Sequence, residues 1–236
     1  MATKTSRARE APGAARFVPK TNSLSVLSEA VQGCRGCDLY RNATQAVFGE
    51  MEAGVSNGNS PHARMMMIGE QPGDREDREG HPFVGPAGRL LDQCLEEAGI
   101  DRKAVYVTNA VKHFKWEPRG KLRIHKKPSS SEIFACRPWL KAELETVRPS
   151  LIVCLGATAA QGLLGPQFKV TVSHGTIQKA TGKAHSAGEY PPIMATFHPA
   201  SILRARTDED RHRQTEVFIS DLRKAEKFLA AIDLGL

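Results

Sequence analysis

An α/β fold is what this sequence predicts: one domain with a central parallel four-stranded sheet flanked by helices. Three observations carry that expectation. Four short apolar runs, at 65–68, 105–108, 151–155 and 193–197, have the length of strands. The stretches between them are long enough for helices and show helical spacing, which suits parallel crossovers better than hairpins. Loops rich in Gly, Pro, Asn or His leave the ends of the runs, where ligands bind in such sheets.

The elements follow in chain order. The first twenty residues are rich in Ala, Arg, Lys, Thr and Pro and lack an apolar core, so they read as a disordered basic arm ahead of a domain over 21–236. The first strand runs into Gly69-Glu70-Gln71-Pro72-Gly73-Asp74. Leu91, Cys94, Leu95 and Ala98 keep the i, i+3, i+4, i+7 spacing of a helix, and Gly99 supplies its stop. The second strand leads into a loop expected over 109–128. Ser129 and Glu132 have capping-box spacing and open a helical stretch to about 147, which Pro138 either kinks or restarts. The third strand precedes a short Ala-rich helix. The fourth leads into a loop at 198–206, and an amphipathic helix over about 217–232 closes the chain.

Lys and Arg outnumber Asp and Glu by 33 to 26, a net charge of +7, which suits a polyanionic partner without requiring one. No apolar run approaches the length of a membrane span. Five cysteines, with no even disulfide framework and no signal-peptide pattern, predict a reducing cytoplasm, where clustered cysteines more often bind metal. Cys34-Arg35-Gly36-Cys37 lies ahead of the α/β core, unlike a thioredoxin-type motif, and Cys136 lies far downstream. Cys94 and Cys154 read as core.

Four loop segments carry candidate chemistry. Gly69 to Asp74 continues through Asp77 to Pro82-Phe83-Val84-Gly85, a tight loop that lets backbone approach a ligand. Phe83 there either pins the loop or stacks on a nucleobase, and Glu70, Asp74 and Asp77 are either functional or simply solvated. Asn109 offers one acceptor and two donors, enough for a pyrimidine edge, or else it forms a turn. Lys121-Leu122-Arg123-Ile124-His125-Lys126-Lys127 surrounds one His with cations, either as a solvated loop or as a phosphate site whose His stays neutral and nucleophilic. His198 follows a strand and either caps the next turn or donates a hydrogen bond to a developing anion.

Together these segments resemble the iron–sulfur uracil-DNA glycosylases of family 4, and within them the UdgX branch. The matching residues are Cys34-x-x-Cys37, Gly69 to Asp74, Pro82 to Gly88, Thr108-Asn109-Ala110-Val111-Lys112, Cys136-Arg137-Pro138-Trp139-Leu140 and His198-Pro199. Gln71, Asp74 and the insertion carrying Arg123-Ile124-His125 are similar to the branch. Ala200 departs from it, since Ser is frequent there.

The resemblance implies a uracil-DNA glycosylase-like fold and removal of uracil from single- and possibly double-stranded DNA by a monomer. It implies uracil contacts from Phe83, Asn109, Gln71 and His198, and DNA contacts from Arg123, Lys126, Lys127, Ser201, Arg204 and Arg206. It further implies covalent capture of the sugar by His125, assisted by Glu70, Gln71 and Asp74, and a [4Fe–4S] cluster on Cys34, Cys37, Cys136 and His113. Family 4 has a fourth cysteine where His113 stands, and Cys154 is the rival ligand. Competing readings are a glycosylase that turns over, an iron–sulfur electron-transfer protein, and a nucleotide-binding module; the last lacks both glycine-rich phosphate motifs.

Overall fold

The computed structural model describes residues 13–51, 63–178 and 191–235. A five-stranded sheet runs through the centre in the order β2-β1-β5-β7-β6. Its strands are β1 (Met65–Gly69), β2 (Val105–Asn109), β5 (Leu151–Leu155), β6 (Ile177–Gln178) and β7 (Ile193–Thr196). Four are parallel, and β6 pairs antiparallel with β7 at one edge. The sheet therefore has one strand more than the sequence suggested. The missed strand is two residues long and only half-buried, too short to leave an apolar run. At the other edge a backbone bridge from Glu50 to Val107 covers β2.

The helices are α1 (Leu24–Val31), α2 (Asp74–Glu79), α3 (Pro86–Glu97), α4 (Ser130–Val147), α5 (Ala157–Leu164), α6 (Val170–Ser173), α7 (Pro199–Leu203) and α8 (Asp208–Asp233). Alternation along β1 explains how they cover both faces. Met65 and Met67 face Leu91, Leu95, Phe218 and Leu222 of α3 and α8, while Met66 and Ile68 face Leu140 and Leu144 of α4 and Ala160 of α5. Burial on both faces makes each strand read as a continuous apolar run.

Two further expectations are revised, and the alternatives at Pro138 are resolved. The loop expected over 109–128 contains an antiparallel hairpin, β3 (Trp116–Arg119) and β4 (Leu122–His125), joined by a two-residue turn with Gly120 at φ +60°. Its strands carry few apolar residues, so no strand pattern announced them. Pro138 lies inside the single helix α4, which Ser129 and Glu132 cap as the spacing suggested. Helix α8 begins about nine residues before the expected start, on Thr207, whose hydroxyl accepts from the Asp210 amide. Of the basic arm, residues 1–12 lie outside the described residues. Residues 14–17 form a 3-10 turn with Ala14 buried beside Ala135, Cys136 and Trp139.

A buried ion pair braces the end of β2. Lys112 Nζ meets a Glu143 carboxylate oxygen and also donates to Thr108 Oγ1 (2.7 Å) and the Asn109 carbonyl (2.8 Å). Glu143 in turn accepts from Tyr106, Thr108 and the Gly49 amide. Neither side chain reaches water. Glu143→Ala would leave a buried ammonium without its counter-charge, so unfolding in denaturant should show a loss of about 3–5 kcal/mol. A loss under about 1 kcal/mol would mean that water or another group takes the place of the carboxylate.

Candidate active site

A cleft of about 500 Å³ opens at the carboxyl ends of β1, β2, β5 and β7. Its floor depends on Gly69. A Cβ at that position would collide with Asn109 Oδ1 and stand 2.9 Å from Phe83 Cζ, so only glycine lets amide and ring approach each other. Phe83 has φ +59°, a conformation that costs a non-glycine residue on the order of 1–3 kcal/mol. The surrounding loop enforces it. Glu76 accepts from the Gly73 amide at 3.1 Å and the Gly85 amide at 2.8 Å, drawing the two ends of the loop together. A Cβ at residue 88 would overlap the Phe83 carbonyl, which accounts for Gly88. Asn109 is 3% exposed and lines the cleft; its side-chain amide has no hydrogen-bond partner among the described residues. An amide open to the cleft beside a flat ring suits a planar ligand with polar groups on one edge.

His198 closes the opposite wall. It lies two residues beyond β7 and caps α7, with Nδ1 accepting from the Ala200 amide at 3.1 Å. In the neutral ring that bond places the proton on Nε2, which makes Nε2 a donor. Burial, with the charge of Arg204 and the neighbouring His125, pulls the ring pKa down to about 4. The ring lies 6.1 Å from that of Phe83, 24° from parallel.

The hairpin brings His125 to the cleft, and the first loop holds the hairpin. Gln71 Nε2 donates to the carbonyls of Lys115 (3.2 Å) and Lys126 (3.0 Å), and its Oε1 accepts from the Lys115 amide (3.1 Å). One buried side chain thus ties both base strands of the hairpin. Arg123 pairs with Asp74 and Asp77, the latter at 2.7 Å, and packs over the Phe114 and Trp116 rings. Asp77 is fully buried and also accepts from the Thr44 amide at 3.0 Å, so it is no solvated carboxylate. His125 Nε2 then stands 3.6 Å from Glu70 Oε1. Burial lowers the His125 pKa; Glu70 opposes that shift and Arg204 adds to it.

Other expected residues lie around this centre. Lys127, Ser201 and Arg204 line the cleft. Lys126 is exposed and pairs with Glu117 at 2.8 Å, and Arg206 is exposed on the loop between α7 and α8. Arg123 and Asp74 are engaged with each other outside the cleft lining. Glu76, Glu143 and Thr158 escaped the sequence reading. Only Glu76 left a trace, three residues after Gly73 at the spacing of a capping box.

Cys34, Cys37 and Cys136 share one apolar cluster with Trp139, Leu27 and Val31. N–H groups point at the sulfurs: Trp139 Nε1 to Cys34 at 3.1 Å and the Lys112 amide to Cys136 at 3.3 Å. Burial pushes the Cys136 thiol up to about 12, opposed by Lys112, while Cys37 and Cys34 add to the rise. His113 is buried, and burial lowers its pKa to about 4. Cys154 belongs to a different cluster, within β5 between Ile68 and Ala195. Among the described residues no group of three or more His, Cys, Asp or Glu side chains converges as around a single metal ion.

The fold and the cleft define a class: a mostly parallel α/β protein with a cleft at its strand ends, presenting an aromatic ring, an amide and a neutral imidazole. Comparison with known proteins agrees. Residues 55–223 match the model of the uracil DNA glycosylase superfamily. The chain is 36% identical to the type-4 uracil-DNA glycosylase of Thermotoga maritima, covering 87% of this chain and 94% of that one. It is 34% identical to the type-4 enzyme of Archaeoglobus fulgidus, covering 86% and 91%. A type-5 uracil-DNA glycosylase of Pyrobaculum aerophilum is 28% identical over 60% of this chain and 63% of its own length. The chain belongs to the uracil-DNA glycosylase superfamily. No helix of the described residues is long and apolar enough to cross a membrane.

The depressed pKa of His198 has a consequence for stability. Between pH 6.5 and about 4 the unfolded chain takes up a proton that the folded ring refuses, so stability falls as the pH drops through that window. The full interval is worth roughly 3 kcal/mol. Urea unfolding at pH 6.5 and 4.5 should therefore show a smaller acid-induced loss in His198→Gln than in the wild type. Equal losses would contradict the neutral assignment.

Proposed function

We propose that this protein removes uracil from DNA and that His125 then bonds to the exposed sugar carbon. One observation carries the reading: His125, 3.6 Å from Glu70, stands at the mouth of a cleft whose floor holds Phe83 and the unpaired amide of Asn109. A uracil must leave the stack to reach that floor. Phe83 would stack on it and Asn109 would read its polar edge. His198 Nε2 would donate to the uracil oxygen that gains charge as the bond to C1′ breaks. A donor fixed in this way contributes on the order of 3 kcal/mol in comparable sites.

The electron pair of the C1′–N1 bond leaves with uracil, and C1′ becomes electron-poor. A lone pair of the neutral His125 ring forms the new C1′–N bond, and the ring becomes an imidazolium whose positive charge the facing Glu70 carboxylate offsets. Gln71, Asp74 and Arg123 act here by holding the hairpin, and Gln71, which also lines the cleft, would meet the base. Lys126, Lys127, Arg204 and Arg206 would meet phosphates, with Ser201 beside them. A stable bond makes each molecule act once.

A [4Fe–4S] cluster held by Cys34, Cys37, Cys136 and His113 accompanies this reading. The thiols support this donor set: all three share one apolar cluster, N–H groups are aimed at two of the sulfurs, and His113 directly follows Lys112, whose amide reaches Cys136. Cationic iron would supply the charge that makes buried thiolates affordable. When bound, the group would hold the segment around Cys34 and Cys37 against α4 and the end of β2. Purified protein should carry iron and sulfide in near-equal amounts, and Cys136→Ala should lose both together with the cluster's visible absorption. A wild-type protein purified anaerobically without iron would refute the cluster.

The decisive test mixes protein with a labelled single-stranded oligonucleotide containing one uracil and resolves the products on a denaturing gel. The expected product is a band shifted by the mass of the protein, absent with thymine and absent in His125→Ser. Strand breakage after alkali with no shifted band would mean that water, not His125, captures the sugar. Cross-linking by the serine variant would refute the role of His125.

A further inference from the structure

Glu70 is held by a residue that no motif above contains. The Thr158 hydroxyl donates a short hydrogen bond to Glu70 Oε2, while the other oxygen, Oε1, is the one that faces His125 Nε2 at 3.6 Å. Thr158 is 6% exposed and sits in the first turn of α5, directly after β5. Both Glu70 and Thr158 line the cleft. Glu70 follows β1, and β1 and β5 are hydrogen-bonded neighbours, so the contact joins two adjacent strand ends. A free Glu side chain has three rotatable bonds and would sample several rotamers at this mouth. One fixed donor on Oε2 selects the rotamer that presents Oε1 to the imidazole.

We infer that Thr158 is a positioning residue for covalent capture: by holding Oε2 of Glu70 it aims Oε1 at His125. The inference rests on the capture reading given above. It separates two events in one reaction. Breaking the glycosidic bond depends on Phe83, Asn109 and His198, whereas bonding of C1′ to His125 depends on Glu70 being aimed. Loss of the Thr158 hydroxyl should therefore change the share of released uracil that ends as adduct. General damage to α5 or to the cleft would lower both products in parallel and leave that share alone.

Thr158→Val keeps the side-chain volume and removes the donor; Thr158→Ser keeps the donor. Excess protein is mixed with a uracil-containing oligonucleotide, and free uracil and adduct are measured separately in time. The expected result is at least a ten-fold lower initial rate of adduct formation per uracil released in Thr158→Val, with recovery to within about three-fold in Thr158→Ser, on the scale of one hydrogen bond to a charged group. In a Glu70→Gln background, Thr158→Val should add less than about two-fold, because contacting residues on one path are not additive. An unchanged ratio in Thr158→Val, or an undiminished effect in the Glu70→Gln background, would overturn the inference. If wild-type protein releases uracil without forming any adduct, the capture reading itself has failed. The aim of Glu70 is then read without DNA, as the rate at which diethyl pyrocarbonate modifies His125 in mass-spectrometric peptide maps. A rate at least three-fold different in Thr158→Val supports the positioning role, and a smaller difference overturns it.

Discussion

The ion pair between Lys112 and Glu143 is the constraint on which the functional parts converge. Each charge would be costly alone in a dry interior, and the pair is tolerable because every remaining hydrogen-bonding atom has a partner. Those partners are informative. The Asn109 carbonyl and the Thr108 hydroxyl belong to the end of β2, so the amide that faces the cleft is set from behind. The backbone N–H of Lys112 reaches Cys136, so the same residue also borders the thiol pocket. Cleft and thiol pocket are separate in chemistry yet share one brace, and neither can shift without disturbing it.

On the other side of the cleft the protein solves a different problem: how to hold the His125 imidazole at the cleft on a polar hairpin with little apolar surface of its own. Gln71 ties the hairpin base through backbone atoms, and Arg123 anchors its middle between two carboxylates and two rings. Polar anchors replace a core that the hairpin lacks. The pairing also sorts the cations. Arg123 is neutralised by Asp74 and Asp77, while Lys127 and Arg204 remain in the cleft lining.

Much of this was legible one residue at a time. The four parallel strands announce themselves because burial on both faces demands unbroken apolar runs. The capping box at Ser129 is local chemistry and reads directly from spacing. The hairpin β3–β4 was not legible, because its anchors are Asp74, Asp77 and Gln71, some fifty residues away. The burial of Asp77 was hidden for the same reason: nothing near it in the chain says that Arg123 will cover it.

By itself the sequence determined the α/β class, the order of the loops that leave the strand ends, and the residue types those loops carry, since hydrophobic period and turn chemistry act over a few neighbours. The tertiary structure alone decided which polar groups are spared partners and which are consumed by them. The Asn109 amide keeps its place beside Phe83 because Gly69 makes room for it. Glu70 turns one oxygen to His125 because Thr158 holds the other. These outcomes depend on contacts between distant segments brought within a few ångströms, and hydrogen-bond satisfaction has no signature in the order of residues.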